Sequence, residues 1–207
     1  MSATAKQRTS ETMVLERVGN DLKDHVVTLL HDGGPNRRHF RCQKPGTWNM
    51  GFDVVTWPGY LCYTGDMGEY LFCRTEDMIA FMRGSCMSYS YAAEKCVASR
   101  EGCEEFSEGA FNKALDYRLE EGETFTVYLG GGKTEERSVS EAVEELRKYS
   151  CESEYDAIRA MYDSGLWDGS DLPSCKDWTF RFLWCLHALK WLIAKLDAGT
   201  FESRASA

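Results

Sequence analysis

Three side chains that can carry positive charge alternate along one short stretch, at Arg37, His39 and Arg41. Residues two apart in a β-strand project from the same face, so these three groups would point in one direction. Guanidinium and imidazole groups can bind phosphates or carboxylates through charge-assisted hydrogen bonds. The spacing therefore predicts an anion-binding face. The alternative, which we favour, is internal pairing with a carboxylate on an adjacent strand. The candidate carboxylates are Asp53, Asp66 and Glu69.

The same histidine could also take part in catalysis. A cysteine-based site needs a thiol activated by an imidazole that an acid holds, and Cys62, Cys73 and Asp66 follow His39 in the sequence. The sequence gives no evidence of that geometry, so we assign no catalytic residue. A small enzyme that acts on a nucleotide or a nucleic acid is an alternative, with His39, Asp66 and Arg41 as catalytic residues. Its pocket would lie around Arg37, His39, Arg41 and Asp66.

A glycine-rich segment, Gly130 to Thr134, is similar to the end of a phosphate-binding loop. That motif requires another glycine five positions before Gly132, where this chain has Val127. The segment also lacks the apolar strand-to-helix setting of a nucleotide-binding fold. It is therefore predicted to be a hairpin turn. No cofactor is expected, and because no Cys-x-x-Cys pair is present, no metal is expected either.

The net charge of −9 is concentrated in the middle of the chain. Residues 101–171 contain 19 Asp and Glu against 7 Lys and Arg, whereas the remainder contains 17 Lys and Arg against 14 Asp and Glu. Carboxylates on helices can form a negative ridge that mimics the phosphates of nucleic acid and occupies a basic groove. The alternative is that these carboxylates simply form the solvated faces of helices and bind no partner. The candidate partner-binding residues are Glu101, Glu104, Glu105, Glu108, Glu120, Glu121, Glu141, Glu144 and Glu145.

The cysteines and the apolar segments indicate the compartment. Nine cysteines at irregular spacing, without an export signal in residues 1–7, are typical of free thiols in a reducing cytoplasm. The longest apolar run, residues 180–196, contains Arg181, His187, Lys190 and Lys195, which a membrane span would tolerate poorly. We therefore expect a cytoplasmic protein that does not associate with membranes.

The hydrophobic periodicity predicts a single α+β domain over residues 1–207. Residues 26–74 alternate short β-like runs with Gly and Pro turns, and connections this short require an antiparallel β-meander. Residues 75–197 show mostly helical periodicity and end in a Trp-rich helix from Asp177 to Leu196, which is apolar nearly all round and is predicted to be central. Residues 198–207 are predicted to be a tail.

The central stretch resembles a family of small bacteriophage and prophage accessory proteins. The resemblance is closest in residues 38–83, where the chain reads Thr56-Trp57-Pro58-Gly59-Tyr60-Leu61, Gly65-Asp66-Met67-Gly68, Tyr70-x-Phe72-x-Arg74 and Asp77-Met78-x-x-Phe81-x-Arg83. It extends loosely to Arg38-His39-x-Arg41 and to Thr179-Phe180-Arg181-Phe182-x-Trp184-Cys185. The resemblance implies an accessory protein that acts in the bacterial host cytoplasm, and it carries over no enzymatic activity and no site residues.

Charge and resemblance together predict a non-catalytic inhibitor of a host nucleic-acid-handling or defence complex, similar to an anti-CRISPR protein. The expected partner is a host protein or ribonucleoprotein complex with a basic groove, which the acidic surface would occupy. Direct binding to nucleic acid is not expected, because the surface is negative. A phage structural or assembly protein is a third alternative, and it would present a large surface for self-association.

Overall fold

The structure, a computed structural model, describes residues 3–84 and 88–203, with side chains described from Thr12 onward. The helices are α1 (Ala3–Leu22), α2 (Met78–Arg83), α3 (Tyr89–Glu94), α4 (Glu108–Glu121), α5 (Val139–Arg147), α6 (Glu154–Ser164) and α7 (Phe180–Asp197). The strands are β1 (Val26–Asp32), β2 (Arg38–Gln43), β3 (Phe52–Trp57), β4 (Tyr60–Gly65), β5 (Gly68–Cys73), β6 (Cys96–Ala98), β7 (Glu104–Phe106), β8 (Thr124–Gly130), β9 (Lys133–Ser138), β10 (Lys176–Trp178) and β11 (Glu202–Ser203). The predicted α+β class is confirmed.

The chain forms two compact units. The first, which we call the sheet unit, comprises residues 1–103 and 178–207, and the second, the inserted unit, comprises residues 104–177. This division differs from the predicted one, which placed residues 75–197 together as a helical part. The reason is that α7 packs on the sheet, although it follows the inserted unit in sequence.

A seven-stranded sheet forms the sheet unit, in the order β11-β1-β2-β3-β4-β5-β6. Strands β1 to β5 are the predicted antiparallel meander, and β6 continues it. β11 pairs in parallel with β1, through Thr28 and Glu202. Part of the predicted tail is therefore an edge strand, because it finds a partner far away in sequence, and residues 204–207 of that tail lie outside the described residues.

One face of this sheet is buried against helices. Alternate side chains along the strands, such as Phe40, Phe52 and Tyr63, are almost completely shielded from solvent. Phe52 makes an edge-on contact with Trp184 of α7, with 6.2 Å between ring centroids. The Trp184 indole N–H donates to Asp21 of α1 over 3.0 Å, which satisfies the polar atom of a buried ring. Ten side chains of α7 are buried, which matches its nearly continuous apolar circumference.

The sheet unit also brings together the two points where the chain leaves and re-enters it. The Thr179 N–H donates to the Cys103 carbonyl over 2.9 Å, and the Thr179 hydroxyl donates to the Gly102 carbonyl over 2.8 Å. Thr179 is also the N-cap of α7, because its hydroxyl accepts the Phe182 N–H. The sequence predicted that this helix begins at Asp177, but the Asp177 carboxylate instead accepts the Ser107 hydroxyl over 2.7 Å within the inserted unit.

The inserted unit has a small core of its own. Phe111 and Leu115 of α4, Val143 of α5 and Met161 of α6 are buried in it. Ser138 caps α5, as its capping-box sequence predicts, by accepting the Glu141 N–H. The hairpin formed by β8 and β9 turns at Gly131 and Gly132, whose φ angles of 60° and 76° favour glycine. The glycine-rich segment is thus a hairpin turn, as predicted.

Candidate functional site

The predicted basic face of β2 is paired with a carboxylate on β3. Arg41 lies opposite Asp53 in the antiparallel ladder. Its Nε and Nη2 donate to the two carboxylate oxygens over 2.9 and 2.8 Å, and His39 Nε2 lies 3.0 Å from Oδ2 of the same carboxylate. The internal pairing that we favoured from the sequence is therefore formed by His39 and Arg41, whereas Arg37 is exposed and precedes the strand.

The electrostatics of this cluster keep Asp53 ionised. Burial of the carboxyl opposes ionisation, but the hydrogen bonds from Arg41 and His39 outweigh it and lower the pKa of Asp53 below its usual value. In return, the carboxylate raises the pKa of Arg41. The guanidinium holds the carboxylate through a fork of two parallel hydrogen bonds, which fixes the geometry of the pair. The cluster is consequently built to hold β2 and β3 together.

Asp66 lies in the turn between β4 and β5, and its carboxylate accepts the Met50 N–H over 2.8 Å. The structure therefore places Asp53, and not Asp66, against His39. Met50 has a positive φ of 56°, so the contact with Asp66 fixes a strained loop. That loop carries Trp48, whose ring lies 5.3 Å from the guanidinium carbon of Arg41. Asp66 thus acts on the loop that covers the cluster.

The charge asymmetry of the sequence coincides with the boundary between the units. Residues 104–177 contain 19 Asp and Glu against 8 Lys and Arg, a net charge of −11, whereas the sheet unit has a net charge of +2. Glu101 belongs to the sheet unit and is exposed. The other predicted partner-binding residues lie in the inserted unit, and all of them are exposed: Glu104, Glu105, Glu108, Glu120, Glu121, Glu141, Glu144 and Glu145.

Few of these carboxylates are neutralised inside the unit. Arg118 pairs with Glu121 over 2.9 Å, and Lys176 pairs with Glu154 over 2.6 Å. Three further pairs involve Arg137 with Glu135, Arg147 with Asp116, and Arg159 with Asp163. Among the described residues, the other 14 of the 19 carboxylates have no cation within 4.0 Å. The surface therefore presents a negative potential that its own cations do not cancel.

Every tyrosine of the inserted unit is exposed, which the sequence reasoning missed. The five residues expose between 59% and 82% of their surface: Tyr117, Tyr128, Tyr149, Tyr155 and Tyr162. Tyrosine is enriched at protein interfaces because its ring offers contact area at low entropic cost and its hydroxyl keeps a hydrogen bond. For three of them the sequence held a signal, because Tyr117, Tyr155 and Tyr162 lie in helices next to Asp, Glu or Arg.

A groove runs along α4 in the same unit. Its volume is about 810 Å³, and its lining comes from one face of α4, from the start of β8 and from residues 165–177. We call it the α4 groove. Three aromatic residues line it, Tyr117, Phe125 and Trp167, together with side chains of both charges. The charged lining residues are Lys113, Arg118, Glu121, Asp168, Asp171, Lys176 and Asp177.

Comparison with known proteins assigns no family. The chain matches no family model, and no curated protein or solved structure is significantly similar to it. In the part of the chain that the structure describes, no helix is long and apolar enough to cross a bilayer. The same part contains no group of three or more His, Cys, Asp or Glu side chains arranged to hold a metal ion. The resemblance to phage accessory proteins stays a prediction.

Proposed function

We propose that the protein is a non-catalytic accessory protein that binds a basic, nucleic-acid-handling complex through the inserted unit. The observation that carries this proposal is the concentration of a net charge of −11 in one compact unit of 74 residues. A basic groove that evolved to bind phosphates attracts such a surface at long range and accelerates encounter. The resemblance to phage proteins supplies the setting, inhibition of a defence or nucleic-acid complex of the bacterial host.

Several of the carboxylates are not placed for the stability of the unit itself, although four others lie in the first turns of helices, where the dipole favours them: Glu108, Glu141, Glu154 and Asp156. Glu120 and Glu121 occupy the last turn of α4, where the helix dipole favours cations, and Glu123 follows directly. Glu144 and Glu145 lie on the exposed side of α5, without a cation within 4.0 Å among the described residues. Like charges at this density destabilise a small fold through self-repulsion. A surface that costs stability in this way supports a role in binding.

The test is affinity capture from a lysate of the bacterial host with a matched pair of charge-reversal variants. The first variant replaces Glu104, Glu105, Glu144 and Glu145 by Lys in the inserted unit. The control replaces four exposed glutamates of the sheet unit by Lys, which changes the net charge equally: Glu16, Glu69, Glu76 and Glu202. Wild type and control are expected to retain the same basic complex at low salt and to release it at high salt, because exposed charges are screened.

A second assay establishes that binding occupies the nucleic-acid site. The captured complex, once purified, is given labelled nucleic acid and increasing amounts of each protein. Wild type and control should displace the nucleic acid, and the variant reversed in the inserted unit should not. Equal displacement by both quadruple variants would contradict the proposal, as would capture that does not depend on salt.

The contact between His39 and Asp53 favours a second candidate function. An imidazole held by a carboxylate at 3.0 Å is the arrangement that orients a catalytic histidine. The candidate is a small enzyme that acts on a nucleotide or a nucleic acid. It predicts an activity on such substrates that His39→Ala removes while the far-ultraviolet circular dichroism spectrum stays unchanged. A substrate screen without turnover by the wild-type protein would eliminate it.

A further inference from the structure

The α4 groove is a second feature of the inserted unit, distinct from its exposed glutamates. Its α4 side runs from Ala110 to Glu121, about 16 Å at the rise of an α-helix. That length accommodates about five residues of an extended chain at about 3.3 Å each. The facing side is residues 165–177, which contain no regular element until β10. The groove is therefore open to a strand-like segment of another chain.

The groove is held in shape by bonds within the unit. Arg118 Nε donates to the Leu166 carbonyl over 3.1 Å, and its Nη1 donates to Glu121 over 2.9 Å. One side chain thus ties the facing segment to the C-terminal end of α4. On the facing segment, the Ser170 N–H donates to the Asp168 carboxylate over 2.8 Å, which fixes that turn. A ligand would meet a preformed site, which lowers the entropic cost of binding.

The two ends of the groove differ in charge. Near the C-terminus of α4, the lining contains Glu121 together with Asp168 and Asp171 of the facing segment. The partial negative charge at the end of the helix has the same sign as these carboxylates. Arg118 lies at the same end and pairs with Glu121, so the carboxylates there without a paired cation among the described residues are Asp168 and Asp171. Toward the N-terminal half of α4 the lining contains Lys113, Lys176 and Asp177, of which Lys176 pairs with Glu154 and Asp177 accepts the Ser107 hydroxyl. The C-terminal end therefore favours a cation.

The aromatic side chains narrow the choice of cation. Tyr117 and Trp167 line the groove together with the carboxylates. A guanidinium group stacks on aromatic rings and donates paired hydrogen bonds to carboxylates, whereas an ammonium is more strongly hydrated and does not stack. Hydrogen bonds from Ser170 lower the pKa of Asp168, so its carboxylate stays charged at neutral pH. A site with both features selects arginine over lysine.

We propose that the α4 groove receives an arginine side chain of an extended partner segment, with its guanidinium against Trp167, Asp168 and Asp171. This inference rests on the proposed function and names the point at which the acidic unit distinguishes its partner from other basic proteins. Arginine is frequent in grooves that bind nucleic acid, because its fork matches phosphate oxygens. The carboxylates of the groove take the place of those oxygens.

The test uses the full chain labelled with ¹⁵N and three blocked pentapeptides. Each peptide is Gly-Gly-x-Gly-Gly, with x as Arg, Lys or Gln. The Arg peptide is expected to shift the Trp167 indole signal and the amide signals of residues 165–171. The Lys peptide should shift the same signals less, and the Gln peptide should leave them unchanged. The indole signal is assigned from Trp167→Phe.

Variants then connect the shifts to the groove. Asp168→Asn with Asp171→Asn should weaken the apparent affinity for the Arg peptide about tenfold, since charge-assisted bonds become neutral ones. Glu144→Gln with Glu145→Gln, which removes the same charge outside the groove, should leave it unchanged. Equal weakening by both pairs, or shifts spread over the whole acidic surface, would overturn the inference.

The two proposals fail in different ways. If charge reversal in the inserted unit abolishes capture of the partner while the Asp168 and Asp171 variant captures it normally, the binding function stands and the arginine site is excluded. If the Arg peptide binds the groove but charge reversal leaves capture unaffected, the site exists and the proposed function is wrong.

Discussion

Asp53 is the residue on which the polar cluster between β2 and β3 depends, because its carboxylate contacts both Arg41 and His39. We predict that Asp53→Asn lowers the free energy of unfolding by about 1–2 kcal/mol near neutral pH, allowing for the partial exposure of the guanidinium. The pKa of Asp53 is lowered by folding, so its stabilisation is present above the unfolded pKa and is lost as pH falls through the folded pKa. Urea unfolding of both proteins measures the difference at about pH 7 and about pH 3.

A matched control is Asp24→Asn, which removes an exposed carboxylate that pairs with Lys44 on the surface. Its effect should be smaller, because exposed ion pairs contribute little to stability. A loss for Asp53→Asn that stays the same at both pH values would show that the carboxylate charge is not what holds the strands. If Asp53→Asn does not lower the free energy of unfolding near neutral pH, the cluster does not stabilise the sheet.

Gly65 is required at the end of β4 for a steric reason. A Cβ at this position would lie 2.4 Å from the Gly51 carbonyl oxygen and 2.6 Å from the Phe52 Cβ. We predict that Gly65→Ala destabilises the protein by about 1–3 kcal/mol, because backbone atoms must move to relieve the overlap. Gly102→Ala serves as the control, since its Cβ would have its nearest neighbour at 4.0 Å. Thermal unfolding compares the two, and equal midpoints would contradict the prediction.

Sequence reasoning at the residue scale identified the right groups and left their partners open. Asp53 was one of three candidate carboxylates for the basic face, and the ladder that sets Arg41 opposite Asp53 decided among them. That register pairs residues 12 positions apart, across a loop whose Met50 N–H donates to Asp66, and no local pattern encodes it. The conspicuous motif around Gly65 and Gly68 proved to be turn and packing chemistry in the meander.

At the scale of the element, a substitution in α4 can change partner binding and protein stability in opposite directions. Glu120 lies in the last turn of α4, where a negative charge opposes the helix dipole, and Asp116 precedes it by one turn. We predict that Glu120→Lys stabilises the protein by about 0.5 kcal/mol and weakens partner capture. In a thermal melt the variant should unfold at a higher temperature than the wild type, and in the capture assay it should retain less of the partner. A variant that melts lower and captures less would indicate simple damage to the helix.

Elements with strong local signals were predictable, and those defined by distant partners were not. The β1–β5 meander and the α5 cap follow from turn residues and from a capping box, which act within a few positions. Strands β6, β7, β10 and β11 have two or three residues each, too few for a period-two pattern. β11 exists because its backbone groups pair with β1, which is about 170 residues earlier.

At the scale of the whole molecule, the chain should tolerate loss of the inserted unit. Cys103 and Thr179 are joined by a hydrogen bond, so a short Gly-Ser connection can replace residues 104–177 without moving either end. The sheet unit keeps its own core after this deletion, and the net charge of the protein changes from −9 to +2. We predict a folded protein with a cooperative melt that no longer captures the partner. Circular dichroism and the capture assay test the two parts.

Either part can fail independently. A shortened chain that does not fold would show that the sheet unit depends on the inserted unit. A folded one that still captures the partner at low salt would assign binding to the sheet unit. The sequence pointed to this boundary only through charge, since residues 101–171 stood out as acidic. Hydrophobic periodicity grouped α7 with the preceding helices, because periodicity contains no information on which surface a helix covers.

The insertion also sets an order of events on the ribosome. Strands β1 to β6 are synthesised first, but the helix that covers them, α7, is synthesised only after residue 177. The inserted unit has all of its own core residues earlier, by Cys175. It can therefore complete its fold while the large sheet still exposes an apolar face to solvent, and such a face invites aggregation. During that interval the folded and highly charged inserted unit helps to keep the nascent chain in solution.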